Sequence, residues 1–132
     1  MIVLDASAVL ELLLNTEGGS LVRDRLADPG ESLHAPHLLS VEVAQVMRRY
    51  VATRSISAEV AAGALEDLSV LDIDRYAHEP FLSRVWELRD NVTAYDAVYL
   101  ALAEVLDAPL LTFDGKLAAA PGHSASIELL AG

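Results

Sequence analysis

Hydrophobic and polar positions change period repeatedly along the chain, and each change marks an element. Residues 2 to 5, Ile-Val-Leu-Asp, form a short apolar run closed by an acid, which predicts a buried strand. Ala6 to Asn15 carries Leu, Ala and Val on nearly every face and predicts a buried helix, with Ser7 placed to cap it. Gly18-Gly19 then predicts a break before a second helix over roughly residues 20–28, stopped by Asp28-Pro29-Gly30. Ser32 to Ala35 reads as a second strand ending at Pro36. From His37 to Arg54 the apolar residues Leu39, Val43, Val46, Met47 and Tyr50 recur at helical spacing, with Arg48, Arg49 and Arg54 in the last turns where cations suit the helix dipole.

Ser57 caps a further helix through about Leu68, Val70 to Ile73 alternates apolar and acidic like a third strand, and residues 79–89 predict a helix with Phe81, Val85, Trp86 and Leu88. Thr93 to Leu106 is almost wholly apolar apart from Asp96, Glu104 and the tyrosines, the pattern of a helix buried on most sides. A strand at Leu110 to Phe113, a short helix near Lys116 and a strand at Ile127 to Leu130 complete the order. Strands alternating with helix-length crossovers imply an α/β fold with a mostly parallel sheet covered on both faces. No repeat, low-complexity tract or linker divides the 132 residues, so residues 1–132 are expected to form one domain.

Composition narrows this picture. A hydrophobic share of 53% with only 5% aromatic requires a core of Leu, Val and Ala and argues against disorder. The absence of cysteine removes disulfides, thiolate zinc sites and cysteine nucleophiles, and fits a reducing compartment. The apolar runs are too short to span a membrane, and Met1 to Asp5 offers neither the basic start nor the cleavage site of a signal peptide, so the cytoplasm is the expected location.

Position then separates four acids from the rest of the twenty. In a parallel sheet, ligands gather beyond the carboxyl ends of the strands. Asp5 ends the first strand, Asp114 follows the strand at Leu110, Glu42 lies in the second turn of the helix after Pro36, and Asp96 sits in the first turn of its helix. Glu42 falls on the apolar stripe of Leu38 and Val46, and Asp96 on that of Tyr99, Leu100 and Ala103. Unpaired carboxylates there are costly unless a cation or hydrogen bonds meet them, and no Lys or Arg stands at helical spacing from either. An all-oxygen cluster suits Mg²⁺ or Mn²⁺.

Plainer readings exist for each. Asp96 three residues after Thr93 fits a capping box, Asp114 before Gly115 fits a turn, and Asp5 can cap the helix that follows it. Glu42 has the weakest such alternative. His34 and His37 straddle Pro36 and read as surface or packing residues, and His78 and His123 as isolated loop residues. Tyr95 and Tyr99 read as core, and Arg48, Arg49 and Arg54 as a favourable helix end. There is no phosphate-binding glycine motif or nucleophile elbow, and Ser7 has no evident histidine partner.

Four segments taken together, Ile2-Val3-Leu4-Asp5-Ala6-Ser7, Pro36 followed by Glu42, Thr93-Ala94-Tyr95-Asp96-Ala97 and Leu111-Thr112-Phe113-Asp114, resemble a PIN domain. The short length makes the chain similar to the VapC-type toxins of bacterial toxin–antitoxin pairs, over residues 2 to about 130. The resemblance implies a PIN-like three-layer sandwich with a sheet of about four to five strands. It also implies a Mg²⁺-dependent endoribonuclease in which Mn²⁺ can substitute, a cognate antitoxin that blocks the site, and a homodimer. Asp5, Glu42, Asp96 and Asp114 are then the catalytic and metal-ligating acids, Asp5 and Asp96 the direct ligands. Thr112 and Ser7 support the cluster, and Asn91, near the same helix start, helps orient it. Glu42 and Asp114 remain alternatives for orienting the attacking water.

The net charge of −11 runs against this expectation, because binding to phosphate backbones rests on Lys and Arg and only nine are present. Composition alone favours a partner other than nucleic acid. Otherwise part of the negative charge belongs to a metal site, and a second protein or a local arginine patch supplies positive surface. Two rival readings follow: a metal-dependent phosphatase or DNA nuclease, and a noncatalytic acidic binding module such as a receiver-like domain. The receiver pattern calls for paired acids at the first strand, where Asp5 stands alone.

Overall fold

A computed structural model of the chain describes residues 1–131. Five strands form one all-parallel sheet: β1 (Ile2–Leu4), β2 (Leu33–Pro36), β3 (Ile73–Tyr76), β4 (Leu110–Thr112) and β5 (Ile127–Leu129), in the order β3-β2-β1-β4-β5. The helices among the described residues are α1 (Ala6–Leu13), α2 (Glu17–Arg25), α3 (Leu38–Ala52), α4 (Ala58–Val70), α5 (Leu82–Glu87), α6 (Ala94–Leu106) and α7 (Gly115–Ala118). None of these is long and apolar enough to cross a membrane.

Alternation along the central strands sorts the core into two layers. Ile2 and Leu4 of β1 and Leu111 of β4 face α1 to α4, where they meet Val9, Leu39, Val43 and Leu68. Val3 and Leu110 point the other way, onto α6 and Leu117 of α7. Burial on both faces explains why β1 and β4 read as continuous apolar runs. From β1 the chain moves outward to β2 and β3, then crosses to β4 and β5 on the other side. The crossovers leave β1 and β4 on opposite faces, so a crevice opens at their carboxyl ends.

The structure revises several local expectations. Gly18 and Gly19 do not break the chain; they lie in the first turn of α2, capped by the Thr16 hydroxyl, which accepts from Gly19 N at 3.0 Å. Their role is close packing, since a Cβ on Gly19 would collide with the Glu11 carbonyl oxygen of α1. The third strand begins at Ile73 rather than Val70, because α4 continues through Val70. β3 is an edge strand and tolerates the exposed Asp74. The helix expected over residues 79–89 is a 3₁₀ turn, Glu79–Phe81, followed by α5, and Trp86 stands 67% exposed.

Candidate active site

Asp5, directly after β1, is the N-cap of α1, the position expected of Ser7. Its Oδ1 accepts from Ala8 N at 3.0 Å and from the Ser7 hydroxyl at 2.7 Å, and its Oδ2 accepts from the Thr112 hydroxyl at 2.5 Å. Ser7 accepts in turn from Phe113 N, and Thr112 from Asp114 N, both at 2.9 Å. Two hydroxyls thus stitch the ends of β1 and β4 together around one carboxylate that is 6% exposed. Three donors occupy three of its roughly four lone-pair positions, leaving capacity on Oδ2. Asp114 caps α7, its Oδ1 accepting from Lys116 N.

Glu42 enters from the second turn of α3 and Asp96 from the first turn of α6. The Tyr99 hydroxyl donates to Glu42 Oε1 at 2.6 Å. Tyr99 is buried as its stripe suggested, but it is also the group that orients Glu42; their shared inward placement on α6 and α3 was the available signal. Tyr95, by contrast, is 64% exposed and not part of the core. Thr93 caps α6 by accepting from Asp96 N at 3.2 Å, which leaves the Asp96 carboxylate without a hydrogen bond among the described residues. Asp5 and Asp114 cap their helices as the plain readings had it, whereas the capping box read at Asp96 is only half formed, since Thr93 caps α6 and the Asp96 carboxylate does not reach back.

Electrostatics join the four. Burial raises the Asp5 carboxyl above its ordinary range, against the pull of its three donors, with Asp114 adding repulsion. Burial also raises Glu42, opposed by the Tyr99 bond and helped by repulsion from Asp96 and Asp5. Asp96 is raised by burial and then by Asp114 and Asp5. The Tyr99 hydroxyl is held far above its usual range by burial and by Glu42, so it stays a donor. Among the described residues no Lys, Arg or His nitrogen lies within 4.0 Å of any of the four carboxylates.

Two concavities flank the acids. One of about 720 Å³ opens beside Asp96, with Asn91, Thr93, Arg89 and Lys116 in its wall. Asn91 lines this concavity with Asp96, its amide packed against Gly122, whose φ of +91° and lack of a Cβ allow the approach. The other, of about 360 Å³, is an apolar groove beside Glu42, lined by Leu38, Val41, Val46 and Tyr95. The histidines are structural. His34 is buried between the Ser32 and Tyr76 hydroxyls, and His78, far from isolated, accepts from Leu38 N at 3.0 Å at the start of α3.

A model of the PIN domain family matches residues 2–122. Ribonuclease VapC1 of Mycobacterium tuberculosis is 46% identical over 129 residues, covering 97% of this chain and 96% of that protein. The chain belongs to the PIN domain family. Ribonuclease VapC12 of the same organism is 44% identical over 131 residues, covering 99% of this chain and 100% of its own, so this PIN domain is of the VapC type. Among solved structures, PAE2754 from Pyrobaculum aerophilum aligns with a TM-score of 0.72 at 23% identity over 96% of this chain and 81% of that one. Mycobacterium tuberculosis VapC20, described as a sarcin-ricin loop cleaving toxin, aligns with a TM-score of 0.68 at 13% identity over 90% and 94%. At these identities the two structures speak for the PIN fold alone.

The donor set of this PIN domain suits a hard divalent cation: carboxylate oxygens only, mutually repelling, each partly desolvated and without a countercharge. Among the described residues, however, no three acidic or histidine side chains stand in a metal-holding arrangement. Electrostatic repulsion links the four carboxylates, but the structure does not draw three of them into one metal-holding group.

Proposed function

We propose that this PIN domain is a Mg²⁺-dependent endoribonuclease, the toxin of a toxin–antitoxin pair, hydrolysing RNA phosphodiester bonds at Asp5, Glu42, Asp96 and Asp114. What supports the reading is the mutual repulsion of four carboxylates that no cation meets among the described residues, two of them just past the carboxyl ends of β1 and β4. Proteins named Ribonuclease VapC that align with almost the whole chain support the choice of RNA over other phosphate esters.

In this reading Asp5, through the spare capacity of Oδ2, and Asp96, through an unengaged carboxylate, hold the cation, with Asp114 and Glu42 completing its surroundings. A bound Mg²⁺, or Mn²⁺ in its place, would be held by these carboxylates and would supply charge neutralisation at the scissile phosphate and a more acidic water. Thr112 and Ser7 fix the Asp5 carboxylate, so that little reorganisation is needed when charge develops. Tyr99 holds Glu42 in place to orient water, and Asp114 is the alternative for that role. Asn91 shapes the Asp96 side. The apolar groove beside Glu42, with Val41 and Tyr95 exposed, suits a segment of a cognate antitoxin, and the other exposed apolar residues suit a homodimer.

The deciding experiment incubates purified protein with cellular RNA, DNA and a phosphomonoester in Mg²⁺, Mn²⁺ or EDTA, beside Asp96→Asn. Discrete RNA products that vanish with EDTA and with the variant are expected. Cleavage of DNA or the monoester instead, or RNA cleavage shared by the variant, would overturn the assignment; inertness toward all three would favour a binding module.

A further inference from the structure

We propose that Arg89 and Lys116 form a two-phosphate track that brings a single-stranded RNA to the carboxylates through the cavity beside Asp96. This deepens the ribonuclease reading and rests on it. The starting point is scarcity: nine basic residues serve a chain of net charge −11. Arg25 and Arg84 are engaged by Glu128 and Glu104, Arg23 by Ser20, and Arg75 by Ser40. Arg48, Arg49 and Arg54 cluster at the end of α3, where Arg49 lines the apolar groove beside Glu42, apart from the cavity that holds Asp96. Arg89 and Lys116 are the two cations in the wall of the cavity that contains Asp96.

They do not serve to hold the acids. Among the described residues neither has a carboxylate oxygen within 4.0 Å, and the charges that act on Asp96 are Asp114 and Asp5, with no offsetting cation. They come from separate elements, Arg89 from the connection between α5 and α6 and Lys116 from α7 after β4, so they edge the crevice rather than cluster at one point. Arg89 is also preset. Its guanidinium lies 4.7 Å over the Trp86 ring, and its Nη1 donates to the Trp86 carbonyl at 2.9 Å. One of five donors is used, and a held guanidinium loses little freedom when it meets a phosphate.

The strand form follows from flexibility. A single strand can bend so that one of its phosphodiesters enters the open concavity of about 720 Å³ beside Asp96, which a stiff A-form duplex cannot do without distortion. Asp90, the other acid in the wall, adds repulsion that a backbone held on both sides can clear.

The test is fluorescence anisotropy of a labelled mixed-sequence single-stranded RNA with the Asp96→Asn protein in EDTA, so that the probe survives, titrated across salt. Arg89→Ala and Lys116→Ala are each expected to weaken binding roughly tenfold and to reduce the slope of log K against log salt by about 0.7. Arg49→Ala is expected to change neither, and duplex RNA of the same sequence to compete poorly. Thermal melts check that these exposed substitutions leave the fold intact. Unchanged affinity and slope in the double variant, a loss carried by Arg49→Ala, equal competition by duplex, or no binding by the parent would overturn the track. RNA cleavage by the unsubstituted protein, measured separately, distinguishes the two claims: cleavage with an indifferent Arg89 and Lys116 sinks the track alone, and a working track without cleavage sinks the hydrolytic reading alone.

Discussion

At Asp5 the helix cap and the candidate ligand are one carboxylate, and at Asp96 they are two different parts of one residue. Asp5 binds Ala8 N and two hydroxyls through its side chain, while Asp96 contributes only its backbone N–H to the Thr93 cap and leaves its carboxylate free. The two sites should therefore respond with opposite sign. Asp96→Asn removes a half-buried, repelled charge and no hydrogen bond, so stability should rise by about 1 kcal/mol, roughly 4 °C in Tm for a chain of this size. Asp5→Ala removes a cap and strands the Ser7 and Thr112 hydroxyls, at a cost of about 2 kcal/mol. Both should lose cleavage. Melting curves without divalent ions check the pair, and a destabilised Asp96→Asn would mean its carboxylate has a partner. The places of the four acids in their elements were legible in the sequence, because strand ends and helix stripes mark those positions. The supporting place of Ser7 and Thr112 was given by the family resemblance alone, and the hydrogen bonds that join them could not be read from the pattern, because the two meet across more than a hundred residues of chain.

Between elements, what the sequence reading lacked was distance. Gly18-Gly19 carries the local signal of a break, and only the packing of α2 on α1 turns it into a close contact. Gly19→Ala forces the two helices apart and should cost about 1–3 kcal/mol, because backbone cannot move aside as a side chain can. Gly63, inside α4, has nothing within 4 Å of an added Cβ, so Gly63→Ala should add about 0.5–1 kcal/mol. Denaturant midpoints for the two variants should move in opposite directions; a neutral Gly19→Ala would show that α1 and α2 can separate at no cost. The helices with a strong stripe, α3 and α6, were legible almost to the residue. β3 and α5 were not, because an edge strand and a helix with Trp86 outward carry little of the amphipathic signal.

For the whole molecule the raised acids and the net charge of −11 pull in the same direction, and separating them gives the strongest test of the site. Asp5, Glu42 and Asp96 all have folded-state values above the ordinary 3.8 or 4.5. A group raised in this way contributes stability below its unfolded value and loses it as pH climbs through the folded value. Glu104 behaves oppositely: bound by Arg84 and Ser124 it is lowered to about 2, as Glu128 is lowered by Arg25, so both contribute above 4.5 and fail as pH falls toward that lower range. Stability without divalent ions should therefore peak within the ordinary carboxylate range and decline as pH rises above it. General self-repulsion predicts the same decline, but it would persist in a variant carrying Glu42→Gln and Asp96→Asn, whereas the part due to the cluster would not. Mg²⁺ should act on the cluster alone. At a concentration about a hundred times its Kd it should add about 2.7 kcal/mol at neutral pH. Because bound cation favours the ionised acids, it should also flatten the decline in the parent and do neither in the double variant. A parent whose melting temperature ignores Mg²⁺ at every pH, or a double variant that responds as fully as the parent, would leave the carboxylates with no claim to a cation.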